Sequence, residues 1–235
     1  MSLAPVSAQS AVLPAIRAAA RASGVDFAYL AKQAEVESGL NPSAKAKTST
    51  ATGLYQFIES TWLAMAEKHG ARYGLSGGRE DLLAAREDPQ MAAYMAAELA
   101  KENAAALQAS WGGEVGATEL YLAHFLGASG AADLLSARDA DAEASAAALL
   151  PAAASANRGV FYGPDGAARS VAEVYDRFAA KFSGQQAAQA PRAAPGQIPF
   201  VREAALSTQS PLLNPVAVML LAQLDAPSTG GTQQK

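Results

Sequence analysis

Cysteine is absent from the 235 residues. That excludes disulfides, a thiol nucleophile and a zinc–thiolate centre, and it leaves the redox compartment open. Histidine is scarce: His69 and His124 are the only two and lie far apart, so no metal site is expected. Charged residues make up only 17% of the chain, with a formal net charge of −4. An acidic balance argues against a nucleic-acid partner, which would select a basic face. No run approaches the roughly 20 apolar residues of a membrane-spanning helix. Pro14 and Arg17 interrupt the one N-terminal apolar stretch, residues 11–20, so no ordinary signal peptide is read. A leader already removed, or another export route, both fit that reading.

What the chain has in abundance is alanine, within a 50% hydrophobic composition. Alanine-rich sequence with few β-branched runs favours helix throughout, and the length suits one domain with an appendage. The expectation is an all-α domain over residues 1–182. From residue 183 to 235 the composition turns to Gln, Ala, Pro and Gly, which reads as a poorly structured tail. Within that tail, residues 214–224 could form a short apolar helix, too short to cross a bilayer and suited either to a partner's groove or to folding back on the domain.

Residues 26–57 organise the reading. Asp26 is placed to cap a helix whose Phe27, Leu30, Ala31 and Ala34 repeat at helical spacing, and Gly39 with Pro42 stops it. At 100° per residue, Glu37 lies roughly 20° from the direction of Leu30, whereas Glu35 lies roughly 140° away. Glu37 therefore shares the apolar stripe and Glu35 faces water. Desolvation and the negative end of the helix dipole both disfavour an anion at Glu37. Such a residue is either a structural glutamate satisfied by buried partners or a functional acid. A polar loop then leads into Gly53-Leu54-Tyr55-Gln56-Phe57, where Gly53 permits close backbone approach and Gln56 sets an amide among apolar neighbours. A minor hairpin near residues 45–58 is the most sheet structure expected.

The two motifs together, ESGLNPSA from Glu37 and GLYQF from Gly53, resemble the glutamate-serine and Gly-Leu-Met-Gln motifs of the soluble lytic transglycosylases, relatives of goose-type lysozyme. The resemblance covers roughly residues 12–182 and implies a lysozyme-like helical fold. It further implies cleavage of the β-1,4 bond between N-acetylmuramic acid and N-acetylglucosamine in peptidoglycan glycan strands, in the periplasm or cell envelope of a bacterium. Glu37 would be the catalytic acid, with Ser38, Tyr55 and Gln56 lining the substrate cleft. Some relatives work beside the flagellar rod, so a rod component is the partner implied for the tail.

The third family motif, Ala-Tyr-Asn-x-Gly, is matched only in part by Ala123 to Gly127. His124 stands where tyrosine is expected and Phe125 where asparagine is expected. Either His124 meets the catalytic site itself, or Tyr121, one turn earlier, replaces the missing hydroxyl; ordinary helix packing is the alternative for both. Three functions stay open: a lytic transglycosylase forming 1,6-anhydro-muramic ends, a lysozyme-type hydrolase, and a catalytically weak peptidoglycan-binding scaffold. No Asp or Glu occurs between residues 38 and 58, where goose-type relatives place a partner carboxylate. That favours the first, with Glu98 the candidate for a second carboxylate folding in from farther along the chain.

The remaining elements follow from stop and start chemistry. A first helix is read over residues 12–22. A third is capped by Ser60 or Thr61, with Trp62, Ala66, His69 and Tyr73 on one face and His69 a core or boundary histidine. A long helix starts at Asp88-Pro89, with Met91, Met95 and Leu99 along its core side. Thr118 caps the helix closed by Gly127, and Pro151 ends the alanine-rich helices that follow. Ser170 and Glu173 make a capping box for a last helix carrying Val171, Val174, Tyr175, Phe178 and Phe182.

Overall fold

The computed structural model describes residues 10–47 and 49–182. The tail at 183–235, including the short helix read at 214–224, lies outside the described residues. About 70% of what is described is helix, and the expected all-α class holds. In chain order the helices are α1 (Val12–Ser23), α2 (Phe27–Ser38), α3 (Glu59–His69), α4 (Arg79–Ala84), α5 (Pro89–Ser110), α6 (Ala117–Ala140), α7 (Ala146–Leu149), α8 (Pro151–Ala156), α9 (Arg158–Phe161) and α10 (Val171–Phe182). Short 3-10 turns follow α3 and α4. The hairpin expectation is met in its weakest form, by isolated antiparallel bridges Lys45–Thr52 and Thr52–Phe57.

Helix α5 runs through the middle, packed along α1 on one side and α6 on the other, while α10 lies across α6. The seam with α1 is built from small residues: Ala15, Ala19 and Ala20 of α1, and Ala92, Ala93, Ala96, Ala97 and Ala100 of α5, are all buried. Alanine faces let two helix backbones approach closely. That explains a correction to the expected stripe on α5. Met95 is fully buried, but Met91 and Leu99 are only half-buried, because the deepest face belongs to alanine.

The caps divide into those that the sequence placed and those that came from elsewhere. Asp26 accepts from the Tyr29 N–H (2.8 Å), Asp88 from Gln90 and Met91, and the Ser170–Glu173 box forms in both directions. Neither Ser60 nor Thr61 caps α3. The helix begins at Glu59, whose N–H is taken by the Thr50 hydroxyl (3.2 Å) of the preceding loop. Thr118 is not the cap of α6 either, because the Glu119 carboxylate reaches back to the Gly116 N–H (2.9 Å) and is itself held by the Tyr175 hydroxyl (2.6 Å) from α10. Gly127 leaves helical geometry at φ 74° and ψ 159°, so the helix read as closing there does end and a second helical segment of α6 follows the kink. Pro151 opens α8 as its first residue instead of closing the series. Helix α4, within the stretch after residue 78, was not foreseen.

The loop between α2 and α3 is braced rather than free. Gln56 adopts φ 48°, and its amide donates to the carbonyls of Gly53 (2.7 Å) and Ala44 (3.1 Å). Arg86, just after α4, donates to the Thr50 carbonyl (2.7 Å), and the Trp62 indole N–H donates to Leu82 (2.6 Å). Gly53 sits where these pieces meet, at φ 85°, and a Cβ there would lie 2.0 Å from the Arg86 carbonyl oxygen. Backbone strain and a clash with backbone therefore coincide at one position. Gly53→Ala is expected to destabilise the domain by roughly 2–4 kcal/mol in urea unfolding. A loss below about 0.5 kcal/mol would show that the loop yields at this point.

Candidate active site

Glu37 ends α2, and the ladder that buries it is written at helical spacing. Tyr29, Gln33 and Glu37 stand four residues apart on one face, and all three are buried. Sequence reading followed the stripe of Leu30 and missed this ladder, although the i, i+4 repeat of polar residues was its signal. Glu35 is exposed and paired with Lys32 at 3.1 Å, as its direction on the helix required.

The Glu37 side chain is fully covered. Its Oε1 accepts a hydrogen bond from the Tyr121 hydroxyl (3.2 Å) and lies 3.3 Å from His124 Nε2, both on α6. These two residues are three apart on α6, so they share a face, and their rings stack with centroids 5.8 Å apart. Both residues left open as alternatives thus meet the same carboxyl oxygen. Glu37 Oε2 is buried with no hydrogen-bond partner among the described residues. A buried carboxyl oxygen left so costs the fold about 1–3 kcal/mol.

Ser38, Tyr55 and Gln56 stand beside this carboxyl in the sequence or in the loop that follows, but their polar groups face inward. Ser38 Oγ lies 2.8 Å from the Leu54 carbonyl and 3.0 Å from that of Ala34, and it accepts from the Asn41 N–H (3.1 Å). It ties the end of α2 to the loop. Tyr55 is fully buried and, like Glu37 Oε2, its hydroxyl has no partner among the described residues. The Gln56 amide braces the loop as described above.

The surroundings are aromatic and neutral. Phe182 of α10 stacks on Tyr29 at 6.0 Å and tilts against Tyr121 at 5.2 Å, while Phe178 meets Tyr121 at 5.9 Å. Burial, then the charge of Glu37 and the hydrogen bond to it, push the Tyr121 phenol well above its ordinary range. Burial and the Glu37 charge do the same to Tyr29, and burial with the neighbouring Tyr29 does so to Tyr55. These phenols are neutral around neutral pH, and Tyr121 is the hydrogen-bond donor to Glu37.

Two other carboxyl groups are buried among the described residues, Glu98 and Glu119. Burial raises Glu98, but hydrogen bonds from Tyr73 and Lys101 and the charges of Lys101 and His69 outweigh it and hold the carboxyl below the usual range. Arg72 adds a 3.2 Å contact, and no hydrogen bond or ion pair joins Glu98 to Glu37. Glu119 is held by Tyr175 and the Gly116 N–H. His69 lies 2.6 Å from Glu102 and 4.0 Å from Glu98, which places it at the boundary of the core as read. No group of three or more metal-ligating side chains is found among the described residues.

Residues 14–118 match the family model described as Transglycosylase SLT domain. The match runs from the first turn of α1 to the first turn of α6, taking in Glu37 and its loop and stopping short of Tyr121 and His124. By that match residues 14–118 are similar to the transglycosylase SLT domain, consistent with the soluble lytic transglycosylases of the lysozyme-like superfamily. The match supports a lytic transglycosylase-type function on peptidoglycan, the substrate on which that family acts in the cell envelope. Among the described residues no helix is long and apolar enough to cross a membrane.

The phenol environments predict the alkaline behaviour. Tyr73 and Tyr175 are pushed up to about 12, by burial first and then by their hydrogen bonds to Glu98 and Glu119. A group held protonated in the folded state above its unfolded value near 10 stabilises the fold fully below pH about 10. That contribution is lost as pH rises from about 10 to about 12. Ultraviolet titration of the seven tyrosines should show Tyr29, Tyr55 and Tyr121 ionising only together with loss of the circular dichroism signal. Full tyrosinate absorbance near pH 11 with native dichroism would contradict the burial described.

Proposed function

We propose that this domain cleaves the β-1,4 bond between N-acetylmuramic acid and N-acetylglucosamine, forming 1,6-anhydro-N-acetylmuramic acid with Glu37 as the only catalytic carboxyl. The observation that carries the reading is the asymmetry at Glu37: Oε1 held by Tyr121 beside His124, Oε2 buried and unpartnered. A neutral carboxyl so held delivers the proton of Oε2 to the glycosidic oxygen, and the bond from that oxygen to muramic C1 breaks. The carbonyl oxygen of the sugar's own 2-acetamido group closes on C1 to give an oxazolinium intermediate, as in substrate-assisted glycosidases. Glu37, now the carboxylate, takes the proton of the C6 hydroxyl. O6 then displaces the acetamido oxygen at C1, closing the anhydro ring, restoring the acetamido group and returning Glu37 to its starting form.

The engagement of the other two buried carboxyls among the described residues supports this path over hydrolysis. An inverting hydrolase needs a second carboxylate about 6.5–9.5 Å from the acid, and a retaining one needs it closer. Glu98 and Glu119 are committed to other partners, and the loop after Glu37 holds no Asp or Glu. In this reading Tyr121 and His124 orient the acid, while Ser38, Tyr55 and Gln56 shape the wall of the glycan cleft. The catalytic unit is taken to end at Phe182 and to work in the periplasm, with residues 183–235 left for a protein partner such as a flagellar rod component.

Glu37→Gln is expected to lower cleavage of purified sacculi by at least about 100-fold with helical content and cooperative melting unchanged, since an amide keeps the shape but delivers no proton. Glu35→Gln on the same helix should stay within about two-fold of wild type. Mass spectrometry of the released glycan, without a reducing step, should find muramic ends lighter by one water than hydrolysed ends. Exclusively reducible, hydrolysed ends would make the domain a lysozyme-type hydrolase.

A further inference from the structure

The segment around α4 is fastened from outside to the loop that follows Glu37. α4 itself has no buried residue. On either side of it Arg79 pairs with Glu59 at 3.1 Å and Glu87 with Lys45 at 2.8 Å, both largely exposed, and exposed pairs of this kind hold little. Arg86 is placed differently. Its Nε donates to the Leu83 carbonyl (3.1 Å), which fixes the plane of the guanidinium, and its Nη1 reaches the carbonyls of Thr50 (2.7 Å) and Phe57 (3.4 Å). All three bonds go to backbone oxygens, and a charged donor binds such oxygens more strongly than a neutral one.

Thr50 and Phe57 are the two ends of the turn that carries Leu54, Tyr55 and Gln56. One guanidinium nitrogen between their carbonyls therefore closes the mouth of that turn. Inside, the turn has other ties: Ser38 Oγ lies 2.8 Å from the Leu54 carbonyl, and the Gln56 amide donates to Gly53 and Ala44. None of these reaches the Thr50 or Phe57 carbonyl. Gln56 takes φ 48°, a left-handed conformation that a residue with a side chain keeps only where its surroundings over-determine it. Arg86 adds to those surroundings twice. Its side chain grips both ends of the turn, and its own carbonyl oxygen lies where a Cβ on Gly53 would have to go.

We propose that Arg86 is a positioning residue for glycan binding, its guanidinium holding the turn at residues 50–57 in the conformation that forms the wall of the cleft. The proposal rests on the reading of this turn as that wall and of Glu37 as the catalytic acid. Glu37 is held by Tyr121 beside His124, on α6, and Ser38 still ties the turn to the end of α2 when Arg86 is removed. Loss of the guanidinium therefore weakens binding and spares the chemistry. Full-length wild type, Arg86→Met, Arg86→Lys and Arg79→Met, a control on the same segment, are to be compared in sacculus cleavage against substrate concentration, in melting and in amide hydrogen exchange. Arg86→Met should raise KM by about 5–10-fold with kcat within about two-fold, because apparent affinity falls with the fraction of time the turn is competent. The amides of Thr52, Gly53 and Gln56, bonded to the carbonyls of Phe57, Ala44 and Gly53, should exchange faster while those of α6 do not change. Arg86→Lys keeps the charge without the fork and should fall between the two, and Arg79→Met should match the wild type. In a Glu37→Gln background, where sacculi are bound and not cut, Arg86→Met should lose affinity to the same extent.

A wild-type KM for Arg86→Met overturns the proposal, including the case in which only its melting temperature falls, since Arg86 would then serve the fold alone. A fall in kcat at constant KM overturns it as well, and so does an equal rise in KM for Arg79→Met, which would assign the effect to the segment and not to the guanidinium. Should Arg86→Met fail to fold, Arg86→Lys decides: a raised KM supports the proposal and a wild-type KM overturns it. Cleavage by Glu37→Gln at the wild-type rate would sink the functional reading, and Arg86 with it. An inactive Glu37→Gln whose affinity for sacculi is unmoved by Arg86→Met sinks the Arg86 proposal alone.

Discussion

The hydrogen bond from Tyr121 to Glu37 Oε1 is the contact around which the domain is arranged. A carboxyl removed from water at the end of a helix has to be met by donors, and those donors have to come from other elements because its own helix offers carbonyl oxygens there. α6 supplies them, and α6 is in turn fixed from both sides. α5 packs along its length, and α10 lies across it with Phe178 against Phe125 and Tyr175 on Glu119. Each support is an ordinary packing or capping interaction. Their sum is one carboxyl oxygen occupied and the other left bare.

The loop after Glu37 shows the same economy of means in reverse. Its polar side chains, Ser38 and Gln56, are turned inward onto backbone carbonyls, and Arg86 reaches in from outside to take the Thr50 carbonyl. A stretch with only isolated bridges in place of a ladder must satisfy its carbonyls some other way, and these side chains do that. The Gly53 position allows Arg86 to approach closely enough to finish the task. The loop is thereby held without regular structure.

The sequence was most legible where one residue type has one physical use. Asp26, Asp88-Pro89 and the Ser170–Glu173 box were placed correctly because a capping carboxylate or hydroxyl acts within its own turn. Glu37 was placed by periodicity alone. The caps of α3 and α6 were misread because their donors are satisfied from a distance, by Thr50 nine residues away and by a glutamate that Tyr175 holds from α10. The alanine seam between α1 and α5 was hidden for a different reason. Alanine marks helix everywhere in this chain, so its frequency did not reveal which faces approach each other. The packing of Phe182 from α10 onto Tyr29 and Tyr121 is a tertiary fact with no local pattern to announce it.

The departure from the family's third motif is resolved by geometry and not by substitution in place. A tyrosine expected at position 124 is a histidine, yet a tyrosine hydroxyl still reaches Glu37, from position 121. Three residues along a helix is a rotation of about 300°, equivalent to about 60° in the other sense, with a rise of about 4.5 Å. Both side chains can therefore converge on one oxygen from different heights, and their stacked rings at 5.8 Å show that they do. The consequence is a carboxyl with two neighbours on Oε1 where a single tyrosine would supply one. A second neighbour fixes the rotation of the carboxyl group as well as its position. Fixed rotation keeps Oε1 as the engaged oxygen and leaves Oε2 as the one without a hydrogen-bond partner among the described residues.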